Sequence, residues 1–399
     1  MIHFSYFFLT EAAGSEEKLK HLEHAEDHVI NAGFDGFAHA FHNLEDVKDQ
    51  IQGKKNKTKI TTKYDGSPSV VFGHNPDNGQ FFVASKSAFN KNPKLNYTFE
   101  DIEENHGHAP GLVSKLKSAL EHLPKVTPKT GIYQGDIMHS GGIKSENNPH
   151  GDVMEEGGKY HFKPNTITYS TPKGSEEGKK IAKSKFGIAV HTAYTGNKFS
   201  DMKAEFGSDL SHFGKHPDVH LINVSDDAQH ANMSVNQQHT YQHHLDQAVD
   251  EYKKFDKKHY GVMEGHQDHL KTYINKTVRE NTKPSVEGYR EHLQQHHLKQ
   301  IAGVKTAKSV GAKTEKMNEA LAHVDKHKDK FASILNMHHH LQAAKDQLVH
   351  ALSAKPKFEH TINGQKVKPE GYVVIRNNRP TKLVDRSEFS RANFLARPR

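Results

Sequence analysis

From Ile60 to Gly196 the chain reads as short β-type runs. From residue 205 to 355 it turns polar and helical, and after Pro356 the β signature returns. This order constrains the fold more than any single motif, because strands from both ends of the chain must complete one β domain around a helical excursion. The runs "KITTKYDGSPSVVFG", "GQFFVASKSAF", "KTGIYQGDIM", "KYHFKPNTITYS" and "KFGIAVHTAYTG" are separated by turn signals such as "NPDNG" and "TPKGSEEG". A helix is expected at "GLVSKLKSALEHL", where Leu112, Leu116 and Leu120 share a face. In the excursion, Met317, Leu321, Val324, Phe331, Leu335, Leu341, Leu348 and Leu352 form an interrupted apolar stripe of helical period. Ser234 and Ser285 are candidate N-caps there. "FEHTINGQKV" reads as a hairpin with an Asn-Gly turn. "EGYVVIR", "NNRP" and "TKLVD" read as strand, turn and strand. The expected class is α+β. Its parts are an N-terminal helical segment (1–56), a β core in two pieces (57–204 and 357–399), and a helical insertion (205–356).

With 399 residues there is room for two or three domains. Only 34% of residues are hydrophobic, and the mean hydropathy is −0.84. A net charge of +7 and a pI of about 9.0 favour a polyanionic partner, nucleic acid being the usual one. The absence of cysteine excludes disulfides, thiolate catalysis and cysteine zinc sites, and fits a reducing cytosol. No apolar run approaches transmembrane length. "MIHFSYFFLTEAAG" mimics a signal peptide but lacks the basic n-region, so it reads as the start of a strand or helix. The 34 histidines are scattered, most of them on polar faces, and only a few fall at the i, i+4 spacing that would set two metal ligands on one helix face.

One stretch stands out. "TTKYDGSPSVVFG" sets Lys63 and Asp65 against the apolar Val70, Val71 and Phe72. Lys63 can be a strand-edge lysine, and Asp65-Gly66 a simple turn. A lysine that takes a nucleotide onto its own amine also requires this arrangement.

Together the segments resemble the covalent nucleotidyltransferases: the ATP-dependent nucleic-acid ligases, especially phage-type RNA ligases, and their capping-enzyme relatives. "KYDG" matches the family's K-x-D-G, and "EGYVVIR" its E-G-x-V-x-(K/R). "SKSAF", "YQGDIM", "FGIAVHTAY" and "TKLVD" are similar to the family's remaining motifs, in the family's order. The resemblance covers roughly residues 57–200 and 357–399 and implies a ligase-type adenylylation domain. It implies Lys63 as nucleophile, with Asp65 and Lys382 also in the catalytic set. Thr62, Gly66, Lys86, Phe186, Glu370 and Arg376 become nucleotide contacts, with Phe186 as the adenine platform. Asp136 and Glu370 become the Mg²⁺ ligands. The implied reaction uses ATP and Mg²⁺ and joins RNA with 5′-phosphate and 3′-hydroxyl ends, in a host cytoplasm if the gene is a phage's.

The sequence departs from the family in places. Asp136 stands where the family has glutamate, and Val384 where a second lysine is usual. The chain ends soon after "TKLVD", leaving no room for an OB-fold domain. The missing OB-fold argues against DNA ligation and capping chemistry, which stay as alternatives, and the incomplete final motif supports a third, a binding or scaffold protein of this fold without catalysis.

An attacking amine must be neutral, so nearby cations and partial burial are expected to lower the Lys63 pKa, with Lys86 and Lys382 as the cations. Phe186 also fits a core position, Lys86 a solvated one and Lys382 a sheet edge. Six of the eight arginines (Arg376, Arg379, Arg386, Arg391, Arg397 and Arg399) crowd the C-terminus, where they are expected to grip phosphates or to form a basic tail.

Overall fold

A computed structural model describes residues 22–387, apart from 208, 227, 229 and 256. The fold is α+β, with three largely antiparallel sheets and helices packed against them. The first sheet has the order Glu23–His24, Arg379–Val384, Gly371–Arg376, Lys59–Lys63, Ser225–Asp226. It joins strands from both ends of the described chain. Arg379–Val384 pairs with Gly371–Arg376 through a turn at Asn377 and Asn378, both at positive φ. Gly371–Arg376 then pairs with Lys59–Lys63.

The second sheet runs Lys203–Phe206, Phe186–Thr195, Ile132–Ser140, Ser69–His74, Phe81–Ala84, with Val219–Ile222 added parallel to Phe186–Thr195. The third runs Gln365–Val367, Glu359–Ile362, Thr168–Pro172, Lys159–Phe162, Val153–Glu156. Its first hairpin turns at Asn363 and Gly364, both at positive φ, as the Asn-Gly signal predicts.

Apolar alternation divides the faces. Ile60, Tyr372, Val374 and Leu383 bury one face of the first sheet against helices Gly33–Ile51, Val235–Lys253 and Lys328–Leu352. The second sheet packs Val70, Phe72, Ile137 and Ile188 against helices Phe99–His106 and Pro110–His122. Ser234 and Ser285 cap their helices, Ser234 in a capping box with Gln237. Strand pairing continues past residue 204, through Lys203–Phe206, Val219–Ile222 and Ser225–Asp226. The long helices of the insertion begin only at Val235. These late strands are only two to four residues long, too short for a period-2 pattern to stand out beside the helical region. No helix among the described residues is long and apolar enough to cross a membrane.

Candidate active site

A cavity of about 480 Å³ opens between the free face of the first sheet and the second sheet. Register decides what enters it. Lys63, the last residue of its strand, stands opposite Gly371; two residues back, Thr61 stands opposite Val373, which in turn faces Lys382. Directly opposed residues share a face, as do residues two apart, so Lys63 and Lys382 leave the first sheet on the same side. Both line the cavity. From the second sheet come Ser69, Gln134, Asp136 and His191. Asp136 stands opposite Ser69 on one neighbour and Ala189 on the other.

Glu370 directly precedes Gly371, and its Oε1 accepts a hydrogen bond from Lys63 Nζ. The glutamate is buried, and its Oε2 has no hydrogen-bond partner among the described residues. Gly371 sits at φ 144°, and a Cβ there would come within 2.2 Å of Leu383 O. The Glu-Gly pair thus sets the carboxylate on Lys63 through a conformation that favours glycine. Gly66 answers to a close approach as well, since a Cβ would lie 2.5 Å from Asp136 Cβ.

The chain belongs to the family of unknown function DUF6267. The family's model matches residues 19–397. No curated protein and no solved structure matches the chain.

In this DUF6267 member the charges around Lys63 reverse one expectation. Burial alone would push the Lys63 ammonium down. Glu370, through charge and hydrogen bond, and then Asp136 and Asp65 outweigh that and raise its pKa above the usual lysine value. The pKa of Lys382 is lowered instead, by burial and then by the charge of Lys63. Burial raises the Glu370 carboxyl despite the pull of Lys63. Burial would also raise Asp136, but His191, Lys63 and Ser69 keep it below the usual carboxylate value. His191 Nε2 lies 3.7 Å from Asp136 Oδ1.

The other sequence-predicted residues divide into two groups. Thr62 lines the cavity, and its N–H donates to Val224 O (2.7 Å). Lys86 lines it from the exposed start of the turn Lys86–Phe89, which Ser85 caps. Asp65 turns away: Oδ1 accepts from Asn165 Nδ2 (2.8 Å), and Oδ2 from the N–H groups of Thr166 (2.9 Å) and Ile167 (3.2 Å). Its carboxylate pins the loop before Thr168–Pro172 and so positions Lys63 indirectly. Phe186 does not reach the cavity. It is fully buried in the core of the second sheet with Ile137 and Ile188, which leaves no face for a base. Arg376 is not at the cavity either, because its Nε donates to Asp46 Oδ2 (3.0 Å) on helix Gly33–Ile51. Arg386 is buried and donates to Asp27 Oδ1 (2.8 Å), so it is closed to phosphate. Arg391, Arg397 and Arg399 lie outside the described residues.

Sequence reading missed His191, Gln134, Ser69 and Phe206, all of which line the cavity. Gln134 was recoverable, lying two residues before Asp136 and hence on the same side of its strand. Phe206, half-buried at the end of Lys203–Phe206, lines the cavity together with a second aromatic ring, that of Tyr64.

Proposed function

We propose that this chain is an ATP-dependent nucleotidyltransferase of RNA-ligase type, built on a ligase-like adenylylation fold. The observation that carries the reading is the convergence of Lys63, Lys382 and Asp136 on one cavity of ligand size, with Glu370 bonded to the Lys63 amine. A lysine at that position has a base within hydrogen-bond reach, as a nucleophile requires.

Lys63 loses a proton along its hydrogen bond to Glu370, whose raised pKa suits it to accept. The Nζ lone pair forms a P–N bond to the α-phosphorus of ATP, the α–β P–O bond breaks, and pyrophosphate leaves. Lys382 and Lys86 face the phosphates. A 5′-phosphate oxygen then displaces Lys63 from AMP, the amine regains a proton, and a 3′-hydroxyl displaces AMP to join the ends. Phe206 replaces Phe186 as the ring beside the base.

Mg²⁺ suits the oxygen donors present. Asp136 is held ionised, and Glu370 Oε2 is buried without a partner. No cluster of three or more His, Cys, Asp or Glu able to hold a metal occurs among the described residues, in keeping with an ion that takes one or two carboxylates plus water and phosphate oxygens. When bound, it would neutralise charge on the phosphates.

The reading is tested by incubating the protein with Mg²⁺, ATP and RNA bearing 5′-phosphate and 3′-hydroxyl ends. Adenylylated RNA and a joined product are expected. Joining of DNA alone, or labelling by GTP alone, would move the assignment to DNA ligation or capping chemistry. Nucleotide binding without any covalent product would leave a binding protein.

A further inference from the structure

Behind the Lys63 strand lies a second cleft, of about 370 Å³. Thr62 stands opposite Tyr372, and alternation turns both away from the side of Lys63, which stands opposite Gly371. Thr62, Tyr64 and Tyr372 line this cleft, and Thr62 and Tyr64 line the Lys63 cavity too, so the two spaces share a wall. Two segments distant in sequence close the other sides. Asn223, Asp226 and His230 come after strand Val219–Ile222, and Lys355, Lys357 and His360 come after helix Lys328–Leu352. Hydrogen bonds stitch the segments together: His230 Nε2 donates to Leu352 O (2.7 Å), and Lys357 Nζ to Asn223 O (2.6 Å).

Two buried polar groups on this cleft lack partners. His360 is 4% exposed and Tyr64 5%, yet His360 Nδ1 and Tyr64 Oη make no hydrogen bond among the described residues. Burial pushes the His360 pKa down to about 4, so its ring is uncharged near neutrality. Such atoms are destabilising unless something bonds them. His230 adds a further acceptor. Leu352 O can only accept, so the proton of a neutral His230 ring sits on Nε2. Nδ1 is then an acceptor 3.6 Å from Asp226 Oδ1. Two acceptors facing each other call for a shared donor, which a hydroxyl supplies.

The rim is cationic. Lys355 is exposed, and Lys357 bonds a carbonyl, which does not neutralise its charge. Burial lowers the Lys357 pKa, which an adjoining anion would offset. Asp226 is the one carboxylate among the described lining residues. Glu177, whose charge also reaches Lys357, is engaged by His220 (2.6 Å) and Lys180 (3.0 Å).

We infer that this cleft binds a small phosphorylated sugar, its phosphate on Lys355 and Lys357 and its hydroxyls on Asp226, His230, His360 and Tyr64. Hydroxyls meet the acceptors, which a phosphate dianion cannot, and the phosphate meets lysines that a neutral sugar leaves unused. The cleft falls in the size range of small-ligand pockets. The inference is independent of the function proposed above, since it uses neither Lys63 nor the carboxylates around it.

The probe is ribose 5-phosphate, with ribose and inorganic phosphate as its parts, followed by isothermal titration calorimetry. Wild type is expected to bind it at least about tenfold more tightly than either part. Lys355→Ala combined with Lys357→Ala should weaken binding at least about tenfold, the scale of lost charge-assisted contacts. The exposed single variant Lys355→Glu should weaken it likewise. His360→Leu should also bind more weakly, yet melt no lower than wild type, because it removes an unpartnered buried nitrogen. Lys382→Ala, which alters the Lys63 cavity, should bind as wild type does. The 5′-phosphate end of an RNA carries the same chemistry. Tighter binding of a 5′-phosphorylated oligoribonucleotide through the same lysines would name the chain end as the source, and weaker binding the free sugar phosphate; either supports the site. The inference is overturned if neither probe binds at millimolar concentration, or if binding survives both lysine substitutions. Binding lost in Lys382→Ala instead, or inorganic phosphate held as tightly as ribose 5-phosphate, would overturn it equally.

Discussion

Lys63 Nζ donates to Glu370 Oε1 although the two residues lie 307 positions apart in the chain. Strand register makes the meeting obligatory, because Gly371 stands opposite Lys63 and Glu370 is the residue before it. On the function proposed here, the pair holds the nucleophile charged at rest and supplies the group that removes its proton.

Adduct formation should therefore depend steeply on pH. Lys63 has a raised pKa, so its neutral fraction grows about tenfold per pH unit throughout the neutral range. Single-turnover labelling with ATP should rise accordingly from pH 6 to 8. A flat profile would show that loss of this proton does not limit the step.

Glu370→Gln should move two readouts in opposite directions. The Lys63 pKa, followed by NMR of the Nζ group, should fall, because the charge that raises it most is gone. Labelling should nevertheless slow by about 10²-fold, the scale of a lost general base. A faster variant would assign Glu370 to restraint of Lys63 alone.

Asp136→Asn should increase the Mg²⁺ concentration needed for half-maximal labelling by about tenfold or more, since a hard cation prefers a charged oxygen donor. Thermal unfolding should change little, because Asp136 is partly exposed on the cavity wall. Unchanged Mg²⁺ dependence would remove Asp136 from the ion.

Much of the β core was legible in the sequence because its punctuation is local. The Asn-Gly and Asn-Asn turns and the change of period mark hairpins wherever they occur. Lys63, Lys382 and Asp136, which the structure brings to one cavity, each sit in a short motif on a strand, and Glu370, bonded to Lys63, directly precedes one. Phe186 was misassigned because an aromatic at a strand start gives no sign of which face it takes. Here it faces the helices Phe99–His106 and Pro110–His122. Arg376 and Arg386 looked like phosphate ligands until Asp46 and Asp27, each more than 300 residues away, came to neutralise them. Asp65 was expected at the nucleotide, yet its oxygens are occupied by Asn165, Thr166 and Ile167, partners no local pattern could reveal.

That finding gives Asp65 a separable signature. Asp65→Ala should leave three donors of the 165–167 loop without their acceptor and destabilise the fold by about 1–3 kcal/mol in urea melts. Added nucleotide should not restore the loss. Wild-type stability with lost labelling would instead put Asp65 in the chemistry.

Beneath the Lys382 strand, Lys345 Nζ donates to Glu26 Oε1 (2.8 Å) in full burial. Burial would raise the Glu26 carboxyl, but Lys345, His24 and Arg386 hold it down at about 2. A depressed carboxylate stabilises the fold above its unfolded pKa, so this contribution should fade as pH falls from about 4.5 towards 2. Glu26→Ala should cost about 3 kcal/mol by leaving the buried Lys345 with only Asp346, 3.4 Å away, and Glu26→Gln combined with Lys345→Met should recover most of that. Thermal melts of the single and double variants decide it, and equal losses in both would argue against a stranded charge.

The most direct measurement is the site of covalent attachment. The protein is incubated with Mg²⁺ and ATP, digested, and mapped by mass spectrometry, with acid-labile and base-stable attachment as the mark of a phosphoramidate. One AMP on the peptide carrying Lys63, reversed by pyrophosphate and absent from Lys63→Ala and Lys63→Arg, is the predicted result. No AMP on any peptide, or AMP retained by Lys63→Ala, would contradict the account.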